Sequence, residues 1–280
     1  MNYINFGCRH SRNLLKMKKF NKPLLLPLTS DLKELNECIK EEARRWFEQL
    51  MRENSDAEAF RYLALAVLCL IILFNRRRSG EAGRILLENY ISHQKNPSLE
   101  EEIRKSLSPL EIKLCEMYNR MEVRGKRGRV VPVLMTPQVI KYIDLLVKCR
   151  DDVGVYPDNQ FLFPVTGGSL HHLRGYDAIQ WHIQLCKDKL KQPGAITATN
   201  VRKHVSTLSQ LLDLEEKDLD MLSKFLGHDL QIHRDYYRLP TATLQLAKCS
   251  KILLAIDQGA SNYKGKTLEQ IQLEIGDDGK

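Results

Sequence analysis

The chain has 280 residues, 43% of them apolar, enough to bury one sizeable core, or one domain with a small helical attachment. Lys and Arg number 43 against 35 Asp and Glu, a net charge of +8 with a pI near 9.0; charge this mixed excludes a disordered polyelectrolyte, and the basic surplus fits a polyanionic partner. The seven cysteines (Cys8, Cys38, Cys69, Cys115, Cys149, Cys186 and Cys249) are scattered without a C-x-x-C pair, which predicts reduced thiols rather than a disulfide or metal scaffold.

Met1–Leu26 is basic but lacks a sustained apolar stretch with a small-residue cleavage site, so no secretory signal is expected. Ser30 reads as an N-cap, after which Leu32, Leu35, Ile39, Trp46, Phe47 and Leu50 recur at helical spacing to about Arg52. Asn54-Ser55-Asp56 breaks that pattern. A second helix then runs through Tyr62–Phe74 (YLALAVLCLIILF), too short for a membrane span of about 20 residues and therefore expected in a core. Shorter helices are predicted over Gly80–Ser92, Leu99–Ser106 and Leu110–Tyr118, with Ser98 and Ser108 as caps. Met121–Val123, the turn Gly125-Lys126-Arg127-Gly128 and Arg129–Leu134 read as a β-hairpin. Thr136-Pro137 supplies a cap and an N1 proline for a helix ending near Arg150. Phe161–Pro164 reads as a short extended piece before Gly167-Gly168. Helices follow near Leu173–Leu190, Thr199–Leu212, Lys217–Leu226 and Thr241–Asp257, and the polar tail from Gly259 is expected to fray. The class is mainly α with a small β-hairpin, in one main domain over about 57–258.

Residues able to do chemistry are dispersed along this frame. Arg76, Arg77 and Arg78 follow the apolar helix; on a continuing helix they would point about 100° apart, as a solvated edge or with one arginine turned toward a phosphate. Glu81 stands three residues after Arg78, close enough to hold it by a charge-assisted hydrogen bond. Lys126 occupies the hairpin tip, where a lysine is ordinarily just solvated but where a mobile ammonium can also carry a proton to a leaving oxygen. Thr199 and Arg202 share a helical face, from which His204 points away. His228 can cap a helix end, and Tyr236 and Tyr237 can be packing tyrosines. Taken in order, however, arginine, Gly-His and a tyrosine nine residues later make a kit for attacking a phosphodiester. His171, His172 and His182, with Cys186 a turn beyond His182, supply too few ligands for zinc, so no metal is expected.

That order resembles the tyrosine recombinase (phage-integrase-like) family. Arg78-Ser79-Gly80-Glu81 is similar to its R-x-x-E element, and Gly125–Pro132 to its β-turn lysine with following R-x-V-P-like residues. Thr199-Asn200-Val201-Arg202 is similar to its H-x-x-R element, with threonine in place of histidine, and Leu226-Gly227-His228 to its L-G-H element. The nine-residue spacing then selects Tyr237 over Tyr236. The wording around these motifs, with FNRRRSGE, HLRG at 172–175, RKH, FLGHD and YYRLP, looks most like recombinases of Crypton-type eukaryotic mobile elements.

The resemblance covers roughly residues 57–256 and implies a tyrosine recombinase catalytic-domain fold over 57–258. Residues 1–56 would be a short or truncated DNA-clamp region and 259–280 a flexible tail. It implies Tyr237 as nucleophile, Arg78 and Arg202 as phosphate clamps, Lys126 as general acid, His228 as hydrogen-bond donor or proton carrier, Thr199 as a phosphate contact and Glu81 as support. Arg76, Arg77, Arg127, Arg129, Lys203, His172 and Arg174 would contact DNA. It further implies double-stranded DNA as partner, a tetramer on DNA formed by exchange of the helix after Tyr237, no cofactor, no membrane and a nuclear location. Three other functions fit the same residues: a non-catalytic DNA-binding descendant of a recombinase, a type IB topoisomerase-like enzyme, and a helical interaction scaffold.

Overall fold

In the computed structural model, which describes residues 26–92, 100–125, 128–208, 215–226 and 245–273, the stripe predicted after Ser30 becomes helix α1 (Thr29–Arg52). Its cap is Leu28 rather than Ser30, and no side chain closes the first turn. Asp31 in that turn instead accepts the backbone N–H groups of Lys191 and Gln192, at 3.2 and 2.7 Å, and pins α1 to a distant loop. Asp56 caps α2 (Ala57–Asn75) by accepting from the Ala59 N–H at 2.8 Å. Among the described residues α2 is the one helix long and apolar enough to cross a membrane, and nearly every side chain from Leu63 to Leu73 is buried among other elements.

The helix predicted over Gly80–Ser92 is two short ones, α3 (Ser79–Gly83) and α4 (Leu87–Ile91). Between them the backbone runs extended to pair with Phe161: Leu162 N–H donates to Ile85 and Leu87 N–H to Gln160, both at 2.8 Å. Next come α5 (Glu101–Ser106) and α6 (Pro109–Met117), the latter closed by the expected Ser108 cap, with Glu111 reaching back to the Ser108 N–H at 2.8 Å. Ser98, the other expected cap, lies outside the described residues.

Strands β1 (Asn119–Arg124) and β2 (Val130–Met135) pair antiparallel, from Asn119 opposite Met135 to Arg124 opposite Val130. Thr136 caps α7 (Pro137–Lys148) as predicted. The chain then passes through the Pro164–His172 bridge into α8 (Gly175–Leu185), a 3-10 turn over Lys187–Lys189, α9 (Ala198–Leu208) and α10 (Glu216–Leu226). A π-helical turn (Gln245–Cys249) leads into α11 (Ser250–Asp257).

Two apolar clusters organise these elements. One gathers α1, α2, α7, α8 and the Met121, Val123, Val131, Val133 and Met135 side of the hairpin. The other gathers α6, α10, α11, Val205 of α9 and Leu134 of β2. Strand β2 therefore has apolar residues on both faces, which is why Val131–Met135 reads as a nearly continuous apolar run rather than an alternation. Helix α1, within the segment assigned to a clamp, shares the first cluster with α2 through Leu35, Ile39, Ala43 and Leu50.

Two further expectations are corrected. Cys38 of α1 and Cys186 at the end of α8 form a disulfide across a sequence separation of 148, with the Cα atoms 6.7 Å apart. The other described cysteines, Cys69, Cys115, Cys149 and Cys249, are buried thiols. The tail does not fray from Gly259 either: Leu268 and Ile271 are buried in the second cluster, and Lys248 bonds Glu269 at 3.4 Å.

Candidate active site

The end of α2 sets the geometry. Arg76 takes a left-handed conformation (φ 54°, ψ 38°), the one non-glycine with positive φ among the described residues, and the N–H groups of Arg76 and Arg77 both return to the Ile72 carbonyl. This is a helix-ending turn that glycine usually makes; an arginine there costs about 1–2 kcal/mol of backbone strain. The turn stops the helix before the arginine triplet can splay around it. Arg76 and Arg77, expected to face DNA, are instead interior, at 2% and 1% exposure. Arg76 pairs with Asp257 of α11, and Arg77 donates to the Pro132 carbonyl of β2. Only Arg78 emerges, its side chain 43% exposed and held by the buried Glu81 carboxylate at 3.0 Å, as the spacing predicted.

Arg202 approaches from α9. Its Nη1 donates to the Arg76 carbonyl and its Nη2 to the Leu226 carbonyl, each at 2.8 Å. Arg202 is 6% exposed, and its pKa is pulled down to about 10, first by burial and then by the charge of Arg78, against an opposing pull from Glu81. Arg78, Glu81 and Arg202 thus share one electrostatic neighbourhood, and Arg202 remains charged at neutral pH. The Leu226 carbonyl ends α10 immediately before Gly227-His228, so the chain enters the L-G-H element against this guanidinium. Thr199 and Lys203 lie on the exposed side of α9. His228, Tyr236, Tyr237, Lys126 and Arg127 lie outside the described residues.

The HLRG segment abuts the same corner because of its glycine. A Cβ on Gly175 would sit 2.4 Å from the Ser79 carbonyl and 2.7 Å from Ile72, so no other residue lets α8 start this close to the residue after Arg78. Arg174 caps α8 on the surface and pairs with Asp177 at 2.7 Å. His172 bonds the Leu173 carbonyl at 2.9 Å and meets the Phe161 ring edge-on. Arg129 is exposed, and its carbonyl closes the hairpin by accepting from Gly125 N–H at 2.8 Å.

No group of three or more metal-ligating side chains exists among the described residues. His182 is buried and bonded to the Ala178 carbonyl at 2.7 Å, and Cys186 is in the disulfide. His204, which points away from the exposed side of α9, is 4% exposed and bonds Thr29 at 3.2 Å. Burial, then the Arg76 charge, pushes its pKa down to about 4, so it is neutral in the folded protein. Its contribution to stability is full above the ordinary histidine value near 6.5 and is lost as pH falls through about 4, because the unfolded chain takes up the proton first. Urea titrations from pH 7.5 to 4.5 are expected to show a loss of about 2 kcal/mol that His204→Gln removes; identical pH slopes in both proteins would contradict it.

No family model and no curated protein matches the chain. It is similar to two solved structures of the XerH site-specific recombinase. A post-cleavage complex with palindromic difH substrate is 18% identical, with a TM-score of 0.45, over 84% of this chain and 51% of that one. A pre-cleavage complex with difH substrate is 16% identical, also with a TM-score of 0.45, over 87% of this chain and 56% of that one. The chain spans about half the length of these recombinase chains.

Proposed function

We propose that this protein breaks and rejoins double-stranded DNA through a 3′-phosphotyrosine intermediate, as a tyrosine recombinase of the Crypton-like kind. One observation carries the reading. Arg202 bonds the backbone of the arginine turn 126 positions upstream and of the residue preceding Gly227-His228, so three motifs far apart in sequence converge. Three charged guanidinium groups, those of Arg77, Arg78 and Arg202, share this neighbourhood with the one Glu81 carboxylate, a surplus of positive charge suited to a phosphate.

In the proposed reaction the Tyr237 oxygen attacks the scissile phosphorus and its proton leaves to a nearby acceptor. The bond from phosphorus to the 5′-oxygen breaks, and Lys126 protonates that oxygen. Rejoining runs the same steps in reverse with a new 5′-hydroxyl, so neither metal nor ATP is required. A free phenol has a pKa near 10, so ionising it at pH 7 costs about 4 kcal/mol. Arg78 and Arg202 offset this cost by stabilising negative charge on the phenolate and the non-bridging oxygens. Thr199 supplies a hydroxyl to the phosphate and no base. The reading places the protein in the nucleus, acting on DNA as a tetramer.

Suicide substrates with a nick beside the cleavage site trap the covalent intermediate. Wild type and Tyr236→Phe are expected to form the protein–DNA adduct and Tyr237→Phe none. Salt-sensitive DNA binding with no adduct from any variant would identify a DNA-binding descendant instead, and supercoil relaxation without a defined site a topoisomerase.

A further inference from the structure

We infer that Arg77 is a positioning residue: its buried guanidinium ties strand β2 to the last turn of α10, and so holds the hairpin and the C-terminal end of α10 in register with Arg78 and Arg202. The inference rests on the phosphotyrosine reading, which makes that register matter. Arg77 Nη2 donates to the Pro132 carbonyl, and the guanidinium carbon lies 4.5 Å over the ring of Phe225, the residue before Leu226. Proline has no N–H, so this strand position offers only its carbonyl.

Arg77 thereby touches both elements that lead into the remaining reactive groups, while its own backbone leads into Arg78. From Pro132 the strand runs back to the turn carrying Lys126; from Phe225 the chain runs on to His228.

Stability alone does not account for an arginine here. Its Nε and Nη1 have no hydrogen-bond partner, and it makes no ion pair, among the described residues. A buried charge so poorly compensated is costly, and an apolar side chain of similar volume is often neutral or stabilising in its place. What the guanidinium adds is orientation. A rigid plane that bonds a carbonyl through its edge and stacks on a ring through its face fixes both partners at once. Burial, followed by the nearby Arg202 charge, lowers its pKa to about 9, which leaves it charged at neutral pH.

Arg77→Met and Arg77→Lys in the full chain test this. With Arg77→Met, DNA affinity is expected to stay within about threefold while adduct formation slows at least about tenfold. Its unfolding midpoint should not drop, and amide exchange should speed up in both 119–135 and 216–226. Arg77→Lys keeps a donor for Pro132 but loses the plane, and is expected to recover part of the rate. Wild-type adduct rates in Arg77→Met, or slower cleavage with unchanged exchange in both segments, overturn the inference and leave the phosphotyrosine reading standing. Should Arg77→Met not fold, Arg77→Lys decides, with slower cleavage and faster exchange over 216–226 expected and wild-type behaviour in both overturning it. If wild type itself forms no adduct, the phosphotyrosine reading fails, and amide exchange alone then decides whether Arg77 holds the two elements.

Discussion

Arg202→Ala is expected to slow covalent adduct formation by about 10²–10³-fold, the usual consequence of deleting one donor to a developing oxyanion. DNA affinity at moderate salt should change by less than about tenfold, since most of it comes from many phosphate contacts. The substitution also strips the Arg76 and Leu226 carbonyls of a charged donor, costing about 1–3 kcal/mol for each bond. Arg202→Lys separates the two effects. A lysine can reach one carbonyl but cannot span both as the planar fork does, so it should fold better than alanine yet cleave poorly. Single-turnover cleavage, filter binding and denaturant titration on the same preparations check this. Equal losses in cleavage and binding would reduce Arg202 to a docking residue.

The second large effect is expected at Asn75, the last residue of α2. Its side chain is fully buried and does what a neighbouring strand would do for β2: Oδ1 accepts from the Leu134 N–H at 2.7 Å, and Nδ2 donates to the Leu134 carbonyl at 2.9 Å. Nδ2 also bonds the Ile71 carbonyl of its own helix at 3.1 Å. Asn75→Ala leaves the Leu134 N–H and carbonyl buried without these partners, an expected loss of about 2–5 kcal/mol by chemical denaturation. Asn75→Asp keeps the acceptor, removes the donor and adds a buried charge, and should do no better. A loss under about 1 kcal/mol for the alanine variant would mean that water reaches Leu134.

Local signals were legible in the sequence, and features set by distant partners were not. Ser108 with Glu111, and Thr136 with Pro137, announce their helices because cap chemistry involves residues three or four positions apart. The apolar block of α2 announces its own burial. The break between α3 and α4 has no such signal, since Leu86 is drawn extended by Phe161 far along the chain. The disulfide was equally hidden, because isolated cysteines say nothing about which pair the fold brings together. Leu268 and Ile271, at helical spacing in a polar tail, were an available hint that it is anchored.

At the site, Arg78 with Glu81 could be read from spacing, whereas the interior places of Arg76 and Arg77 could not. Consecutive arginines look alike until a left-handed turn distributes them among Asp257, Pro132 and solvent. Gly175 shows how a motif conceals its reason, since what makes glycine necessary there is a close backbone approach to Ser79.

The two-faced burial of β2 bears on how this protein can be dissected. A fragment ending at residue 208 would lack α10 and α11 and leave Leu134 uncovered, while one beginning at 215 would have no strand to settle against. Neither piece should survive limited proteolysis as a soluble core. A stable core is expected to need both halves, which lean on the same six-residue strand.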